Sequence, residues 1–230
     1  MAYRKKAKHI MGYKPDIVVV PECENPNKLK FEAGTPAPND ILWFGKNPDK
    51  GIGIFSYSGY SFRVCTSYDP AIRHVIPIQA SNGKFKFTLF AIWAYNPDDP
   101  EGRYIEQVWK ALHSYKRLIK TQKTILMGDF NSNSIWDTHR RVGNHSDVVE
   151  RLREKGIVSA YHKHHKQKQG TEKHSTFFMH RHENKPYHID YCFASEDIAN
   201  KINSVEIGEY KYWTKFSDHA PLIVSFDNVS

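Results

Sequence analysis

The sequence predicts an α+β fold in which two mixed β-sheets pack face to face, with helices on the outside. Many short apolar runs rich in β-branched and aromatic residues are typical of strands, and two longer segments have helical periodicity. The 230 residues contain no repeat and no linker-like tract. A chain of this length can bury the core of one large domain. We therefore expect residues 1–230 to form a single domain.

The first half of the chain is predicted to be mostly strand. A helix is expected over Tyr3–Tyr13, because helix formers there are followed by Gly12 and Pro15. The apolar run in Asp16–Val20 is typical of a buried strand. Further strands are predicted at Gly53–Ser56, Ser61–Cys65, His74–Gln79 and Phe85–Ala94.

The second half is predicted to contain two helices between strands. Apolar residues recur at three- and four-residue steps from Ile105 to Ile119, which indicates an amphipathic helix. A shorter helix is expected over His145–Lys155, ending at Gly156. Strands are predicted at Thr124–Met127, Thr176–Met179, His188–Ala194, Val205–Glu209 and Pro221–Phe226.

Composition and charge limit the classes of protein to consider. The formal charge of +8 favours a polyanionic partner, although a solvated basic surface explains it equally well. No apolar run is long enough to span a bilayer, and no signal-peptide core follows the basic start. Three scattered cysteines without CxxC spacing argue against a disulfide framework or a zinc ribbon. We expect a cytoplasmic protein.

Four polar constellations lie at the ends of predicted strands, where a rigid scaffold can hold functional groups. Glu22 follows the first strand. Gly128–Ser132 follows the strand at Thr124–Met127, and its Asp129 and Asn131 lie two residues apart, on one face of extended backbone. For these residues, a surface glutamate and an Asx turn are the simpler structural explanations.

The other two constellations bring an acid and a histidine together. His188-Ile189-Asp190-Tyr191 opens one apolar run, and Ser217-Asp218-His219-Ala220-Pro221-Leu222 precedes the last strand. A carboxylate beside a histidine can fix its tautomer and adjust its pKa for proton transfer.

Together, the run from Pro15 to Glu22 and the segments at 128–132, 188–191 and 217–222 resemble the signature segments of the endonuclease/exonuclease/phosphatase superfamily. This group includes DNase I-like nucleases, abasic-site endonucleases, sphingomyelinases and inositol phosphatases. The segments span nearly the whole chain in the family's order. The resemblance implies a four-layer α/β sandwich whose active site lies on the rim where strand ends converge.

The resemblance also implies roles for individual residues. Glu22 matches the family's magnesium-binding glutamate, and Asp218 matches a second acid near the metal. Asp129 and Asn131 match the pair that activates or orients the attacking water and holds the phosphate.

Two further family segments contribute to the implied site. His219 matches the histidine that contacts the scissile phosphate, and Asp190 matches the carboxylate that orients it. Tyr95 and Asn96 belong to a segment that sends a polar or aromatic group to the phosphate.

These roles imply a hydrolase that cleaves phosphodiesters with Mg²⁺, or with Mn²⁺ as an alternative. The leading hypothesis is a nuclease with DNA or RNA as substrate. A phosphomonoesterase or lipid-headgroup phosphodiesterase on the same scaffold is the second. A catalytically impaired nucleic-acid-binding protein is the third. No obligate protein partner is evident.

A histidine-rich segment and two tryptophans have competing explanations. Histidines 162, 164, 165, 174, 180 and 182 lie among lysines without nearby cysteine, which favours a solvated basic loop over a zinc site. With Phe177, Phe178, Lys173 and Arg181, this region could clamp a nucleic acid backbone and stack on a base, although core packing explains the phenylalanines more simply. Trp136 and Trp213 lie near signature segments, and packing is again the simpler explanation.

The family normally opens with a strand that ends in Trp-Asn or a similar pair, which the sequence lacks before the Tyr3–Tyr13 helix. We expect the neighbours of that strand to be Asp16–Val20 and Leu222–Phe226. Either these two close up, or another chain supplies a strand, or the sequence lacks its natural start; the last is the favoured hypothesis. Unpaired buried backbone groups would each cost on the order of 1–3 kcal/mol.

Overall fold

The computed structural model describes residues 3–72, 74–95, 102–120 and 122–227. The helices are α1 (Ala7–Met11), α2 (Ile105–Ser114), α3 (His145–Arg153), α4 (Ala160–His165), α5 (Glu196–Ala199) and α6 (Tyr210–Trp213). The strands are β1 (Ile17–Cys23), β2 (Asp40–Asn47), β3 (Lys50–Ser56), β4 (Ser61–Val64), β5 (Val75–Ser81), β6 (Lys86–Trp93), β7 (Thr124–Asp129), β8 (Ile157–Ser159), β9 (Phe177–Phe178), β10 (Pro186–Tyr187), β11 (Asp190–Ser195), β12 (Ile202–Ile207) and β13 (Leu222–Phe226).

A six-stranded sheet forms the centre of the molecule, in the order β4-β5-β6-β7-β11-β8. The β6–β7 pair is parallel and the others are antiparallel. The sheet is therefore mixed. Its central strand β6 is buried from Leu89 to Trp93, which accounts for the continuous apolar sequence there.

The second sheet layer consists of two separate antiparallel pieces, β1-β3-β2 and β12-β13. Within the described ranges, β1 pairs only with β3 and β13 only with β12. The two strands expected to flank a further strand have therefore not closed on each other. Between them runs a cleft lined by side chains of both strands.

The main core lies between these sheet layers. It joins Ile52 and Ile54 of β3 to Ile78 of β5 and Leu89 of β6, with Val205 contributed by β12. The other face of the six-stranded sheet packs against α2 and α3 through a second cluster. A 3₁₀ turn and α1 cover the outer face of β1 and β3. The predicted α+β sandwich is confirmed, but the second layer consists of two antiparallel pieces, whereas a second mixed sheet was predicted.

Some elements differ from the sequence prediction. The strand β2 was not predicted, because its residues beyond Phe44 are polar and exposed. Helix α4 was also not predicted, since Ala160–His165 has one short turn of polar residues. Helix α2 ends at Ser114, although Ile119 is still buried in the same cluster. In the described part of the chain, no helix is both long and apolar enough to cross a membrane.

Candidate active site

The predicted site residues that the structure describes line one cleft of about 720 Å³. The cleft runs between β1 and β13, and its floor includes Leu89, Ile125 and Met127 of the six-stranded sheet. Its polar lining includes Glu22, Asp129, Asn131, Asp190, Asp218 and His219. Four distant segments of the sequence thus contribute to a single surface.

Asp129 ends β7, where it lies opposite Asp190 of β11 in the strand register. The chain turns sharply at Asn131, whose φ of 46° is left-handed, a conformation that asparagine tolerates better than most residues. The turn lets the Asn131 backbone N–H donate to Asp129 Oδ1 at 2.8 Å and its amide donate to Oδ2 at 2.9 Å. Both carboxylate oxygens of the buried Asp129 are therefore held.

Gly128 brings β7 unusually close to β6. Its φ is 137°, and a Cβ atom there would lie 2.0 Å from the carbonyl oxygen of Ile92. Only glycine fits this position. The glycine of the motif thus sets the backbone on which Asp129 is carried.

Asp190 and His219 form a hydrogen-bonded pair. The Nδ1 atom of His219 lies 2.9 Å from Asp190 Oδ2, and both side chains are partly exposed to the cleft. The ring of Phe177 packs beside the imidazole, with centroids 4.7 Å apart. This contact and the aspartate fix the orientation of the imidazole.

Thr176 connects the two segments that carry this pair. Its hydroxyl oxygen accepts hydrogen bonds from the backbone N–H groups of Ile189 and Asp190, each at 3.0 Å. Its carbonyl accepts from the backbone N–H of Ala220 at 2.8 Å. One fully buried residue therefore holds the start of β11 against the lead into β13.

Burial and neighbouring charges shift the pKa values of Asp129 and His219 upward. Burial raises the pKa of Asp129, and the nearby Asp190 carboxylate raises it further. Desolvation alone would lower the pKa of His219, but Asp190, and then Asp129, raise it overall to about 9. The two aspartates therefore favour the protonated form of His219.

Glu22 lies on an irregularity of β1. The register with β3 shifts between Val20 and Cys23, and Glu22 has a φ of 55°. Bulges of this kind often redirect a side chain near a functional site. Lys50 donates to Glu22 Oε1 at 3.2 Å. Burial would raise the pKa of Glu22, but the Lys50 charge contributes to lowering it overall.

Three side chains offer a tight set of possible metal ligands. Asp129, Asp190 and His219 each place a ligand atom within 4.8 Å of the others, the only such group of three or more in the described residues. Glu22 and Asp218, predicted as metal ligands, line the same cleft outside this group. The Asp190 carboxylate raises the pKa of Asp129, and a hard divalent cation would relieve the repulsion between these two acids.

The remaining predicted residues occupy different surroundings. Tyr95 lines the cleft and stacks on Trp93 with centroids 5.0 Å apart. Asn96 lies outside the described residues. Trp213 is buried against Ala220 and Phe178, while Trp136 is half-exposed. The roles of all these residues stay predictions.

The histidine-rich segment forms a buried hydrogen-bond network. His162 Nε2 lies 2.9 Å from Glu172 Oε1, and Asn133 also donates to Glu172. Burial alone would raise the pKa of Glu172, but these hydrogen bonds lower it to about 2. His188 lies beside this network, and burial lowers its pKa to about 4. The loop is therefore partly structural rather than fully solvated.

Three residues near the site were not predicted. Lys50 contacts Glu22 and lies over the ring of Tyr95, with its ammonium 5.7 Å from the centroid. Lys6 lines the cleft, and burial lowers its pKa. Thr176 acts through its backbone and hydroxyl. The lysines resemble any surface lysine in sequence; only the start of the predicted strand at Thr176 pointed to that region.

Comparison with known proteins addresses the identity of this fold. The model of a family described as endonuclease-reverse transcriptase matches residues 89–223, more than half of the chain. The chain belongs to that family, within the endonuclease/exonuclease/phosphatase superfamily. The resemblance inferred from the motifs is thereby confirmed.

Several solved structures superpose over almost the entire chain. The endonuclease domain of TRAS1, a telomere-specific non-LTR retrotransposon, is 16% identical with a TM-score of 0.63, covering 99% of this chain and 93% of that one. An AP endonuclease from Archaeoglobus fulgidus is 19% identical with a TM-score of 0.67, covering 95% and 91%.

The 3′ phosphatase NExo from Neisseria, solved with a product DNA hairpin, is 19% identical with a TM-score of 0.66, covering 97% of this chain and 93% of that one. Identities this low show the fold. No curated protein matches the chain.

Proposed function

We propose that this protein is a divalent-metal-dependent nuclease that hydrolyses phosphodiester bonds of DNA or RNA. The observation that carries the proposal is the convergence of two hydrogen-bonded pairs, Asp129–Asn131 and Asp190–His219, in one cleft. Each pair joins a carboxylate to a hydrogen-bond donor. Membership of the endonuclease-reverse transcriptase family and the nuclease-like neighbours support a hydrolase of this class.

In the proposed reaction, water attacks phosphorus and the bond to the leaving oxygen breaks, which gives a phosphomonoester and an alcohol. Asp129 is proposed to accept the proton of the attacking water, because Asn131 holds both of its carboxylate oxygens in a fixed orientation. Asn131 orients that carboxylate and donates to a phosphoryl oxygen. Its fixed geometry means that little reorganisation is needed in the transition state.

His219 is proposed to stabilise the negative charge that gathers on the phosphoryl oxygens. Asp190 holds Nδ1, which leaves the protonated Nε2 to donate to the phosphate. Glu22 and Asp218, which line the same cleft, are the oxygen donors that would hold Mg²⁺ or Mn²⁺. When bound, the cation would neutralise charge on the phosphate.

A substrate panel tests this proposal. Duplex DNA, single-stranded DNA, RNA, DNA with an abasic site and phosphoinositides are each incubated with Mg²⁺ or with EDTA. We expect turnover of nucleic acid that disappears in EDTA. Asp129→Asn should lose this activity, whereas Asp49→Asn, a matched change on an exposed turn, should retain it.

Every alternative result would contradict a specific part of the proposal. Unaltered turnover in EDTA would remove the metal. Hydrolysis of phosphoinositides alone would favour the lipid-headgroup alternative. Tight binding of nucleic acid without turnover would indicate a catalytically impaired protein.

A further inference from the structure

An exposed tryptophan follows directly after the Asp129–Asn131 turn. Trp136 ends the 3₁₀ turn Ser134–Trp136 and keeps 46% of its surface exposed. Single exposed apolar residues are common, so exposure alone indicates no function. The support beneath this residue is what distinguishes it.

The turn that carries Trp136 is fixed on both sides. Asn133, which is 2% exposed, accepts from the Ile135 N–H and donates to the carbonyl of His188 at 3.0 Å. Asp137 accepts from the first backbone N–H groups of helix α3, both at 2.9 Å. An exposed indole is thus held by buried hydrogen bonds, which lowers the entropy lost when a ligand binds to it.

A row of rings leads from this indole to the candidate site. Trp136 packs against Tyr187 with centroids 5.1 Å apart, and Tyr187 stacks on Phe177 at 6.4 Å. Phe177 contacts His219 at 4.7 Å. The exposed end of the row is therefore only two rings removed from the imidazole.

A loop that packs on the turn carrying Trp136 has two exposed lysines. The loop at Gly170 packs tightly on the turn, where an added Cβ would lie 2.6 Å from Ser134 Oγ. Lys168 and Lys173 of this loop are exposed, whereas its acid, Glu172, points inward to His162. The surface beside the indole therefore attracts an anionic backbone.

We propose that Trp136 and Tyr187 form a stacking surface for one nucleobase of the substrate, next to the phosphate held at His219. This inference rests on the proposed nuclease function and specifies its substrate. A base inside a duplex has both faces covered by its neighbours. The enzyme should therefore prefer substrates with an unstacked base beside the cleavage site, such as single strands.

The test compares Trp136→Ala with Trp136→Phe and with Ile135→Ala, a change at the adjacent exposed apolar residue. A single-stranded oligonucleotide is used intact and as a series in which each nucleotide near the cleavage site lacks its base. Steady-state KM and kcat are measured, and thermal unfolding confirms that the variants are folded.

We expect Trp136→Ala to raise KM for the intact oligonucleotide about tenfold with kcat nearly unchanged, as the usual energy of stacking on one base implies. Trp136→Phe and Ile135→Ala should stay close to wild type. For the wild-type enzyme, removing one particular base from the oligonucleotide should raise KM by the same factor as Trp136→Ala does. For Trp136→Ala, removing that base should cause no further increase in KM.

Two results would overturn the inference. One is a Trp136→Ala variant with wild-type KM. The other is a loss that is equally large at Ile135→Ala or that does not depend on any base. In both cases the wild-type enzyme still cleaves the oligonucleotide. If wild type cleaves no nucleic acid at all, the proposed function fails first.

Discussion

The two sheet layers of this protein position the residues of the candidate site in different ways. The six-stranded sheet is continuous, and it delivers Asp129 and Asp190 from directly opposed positions on β7 and β11. The other layer is divided: Glu22 reaches the cleft from β1 and Asp218 from the segment that leads into β13, and these two strands do not pair with each other. Backbone pairing thus fixes one pair of acids, while the other pair depends on the separation of the two pieces.

This difference suggests a division of roles. Groups on the continuous sheet are preorganised, which suits residues that act on the transition state. Glu22 and Asp218 come from two pieces that do not pair with each other, an arrangement that suits ligands that a cation draws together. The predictions below test this contrast.

The largest expected effect concerns residues that end a strand of the continuous sheet, follow it directly or are hydrogen-bonded to it. Asp129→Ala, Asn131→Ala and His219→Ala should each lower turnover at least about 100-fold, the usual cost of losing one preorganised group. Double variants should lose much less than the product of the single losses, because the residues act as a unit. Turnover is measured with saturating metal, and Asp49→Ala is the control. Wild-type rates in all three variants would contradict the assigned site.

The next effect concerns the buried histidine beside β11. In the folded state, burial lowers the pKa of His188 to about 4, from an ordinary value of 6.5. Between pH 6.5 and pH 4, the unfolded chain therefore binds a proton at His188 that the folded state does not bind. The free energy of unfolding falls over this range by about 3 kcal/mol.

His188→Asn should flatten this pH dependence, measured as the free energy of unfolding in urea between pH 7 and pH 4. His139→Asn, at an exposed position, should leave it unchanged. An equally steep decline in His188→Asn would show that other groups carry the effect.

A smaller effect is expected on the divided layer. Glu22→Gln should raise the Mg²⁺ concentration needed for half-maximal turnover by about tenfold, since loss of a charged ligand weakens metal binding. Turnover at saturating Mg²⁺ should change much less than in Asp129→Ala. Glu206→Gln, an exposed change on β12, is the control. An unchanged metal requirement would remove Glu22 from the proposed ligands.

The smallest expected change comes from closing the divided layer. A segment with alternating apolar residues and a final asparagine, fused before residue 1, should pair with the open edges of β1 and β13. We expect the melting temperature to rise by about 5 °C, as a few new hydrogen bonds would give, and turnover to increase. The same segment with prolines at alternate positions cannot donate these bonds. Equal behaviour of the two fusions would show that the gap needs no strand.

Much of the fold and the grouping of the candidate residues could be predicted from sequence, because the relevant signals are local. The apolar run of β7 and the Gly128–Ser132 turn are contiguous, so strand and polar rim appear together in the sequence. The family motifs then supplied the long-range order. Asp190 and His219 were expected to meet, and they do.

The features that escaped prediction depend on partners distant in sequence. Lys50 meets Glu22 only because β3 pairs with β1 across a register shift. The bond between Asn133 and Glu172 joins a turn to a loop, and no periodic pattern marks either residue. The open edges of β1 and β13 depend on which strands pair, and apolar alternation does not encode this.

The connection through Thr176 has a mechanical consequence. Thr176 is hydrogen-bonded both to the start of β11 and to the segment before β13. The two sheet layers are therefore held together at the end of the cleft where Asp190 and His219 lie. At the other end of the β12-β13 piece, the backbone N–H of Asp227 donates to the carbonyl of Lys201, whose own N–H donates to the carbonyl of Ile198 in α5. Because this piece is tethered at both ends, thermal motion of the divided layer should leave the distance between Asp190 and His219, where the chemistry is proposed to occur, almost unchanged.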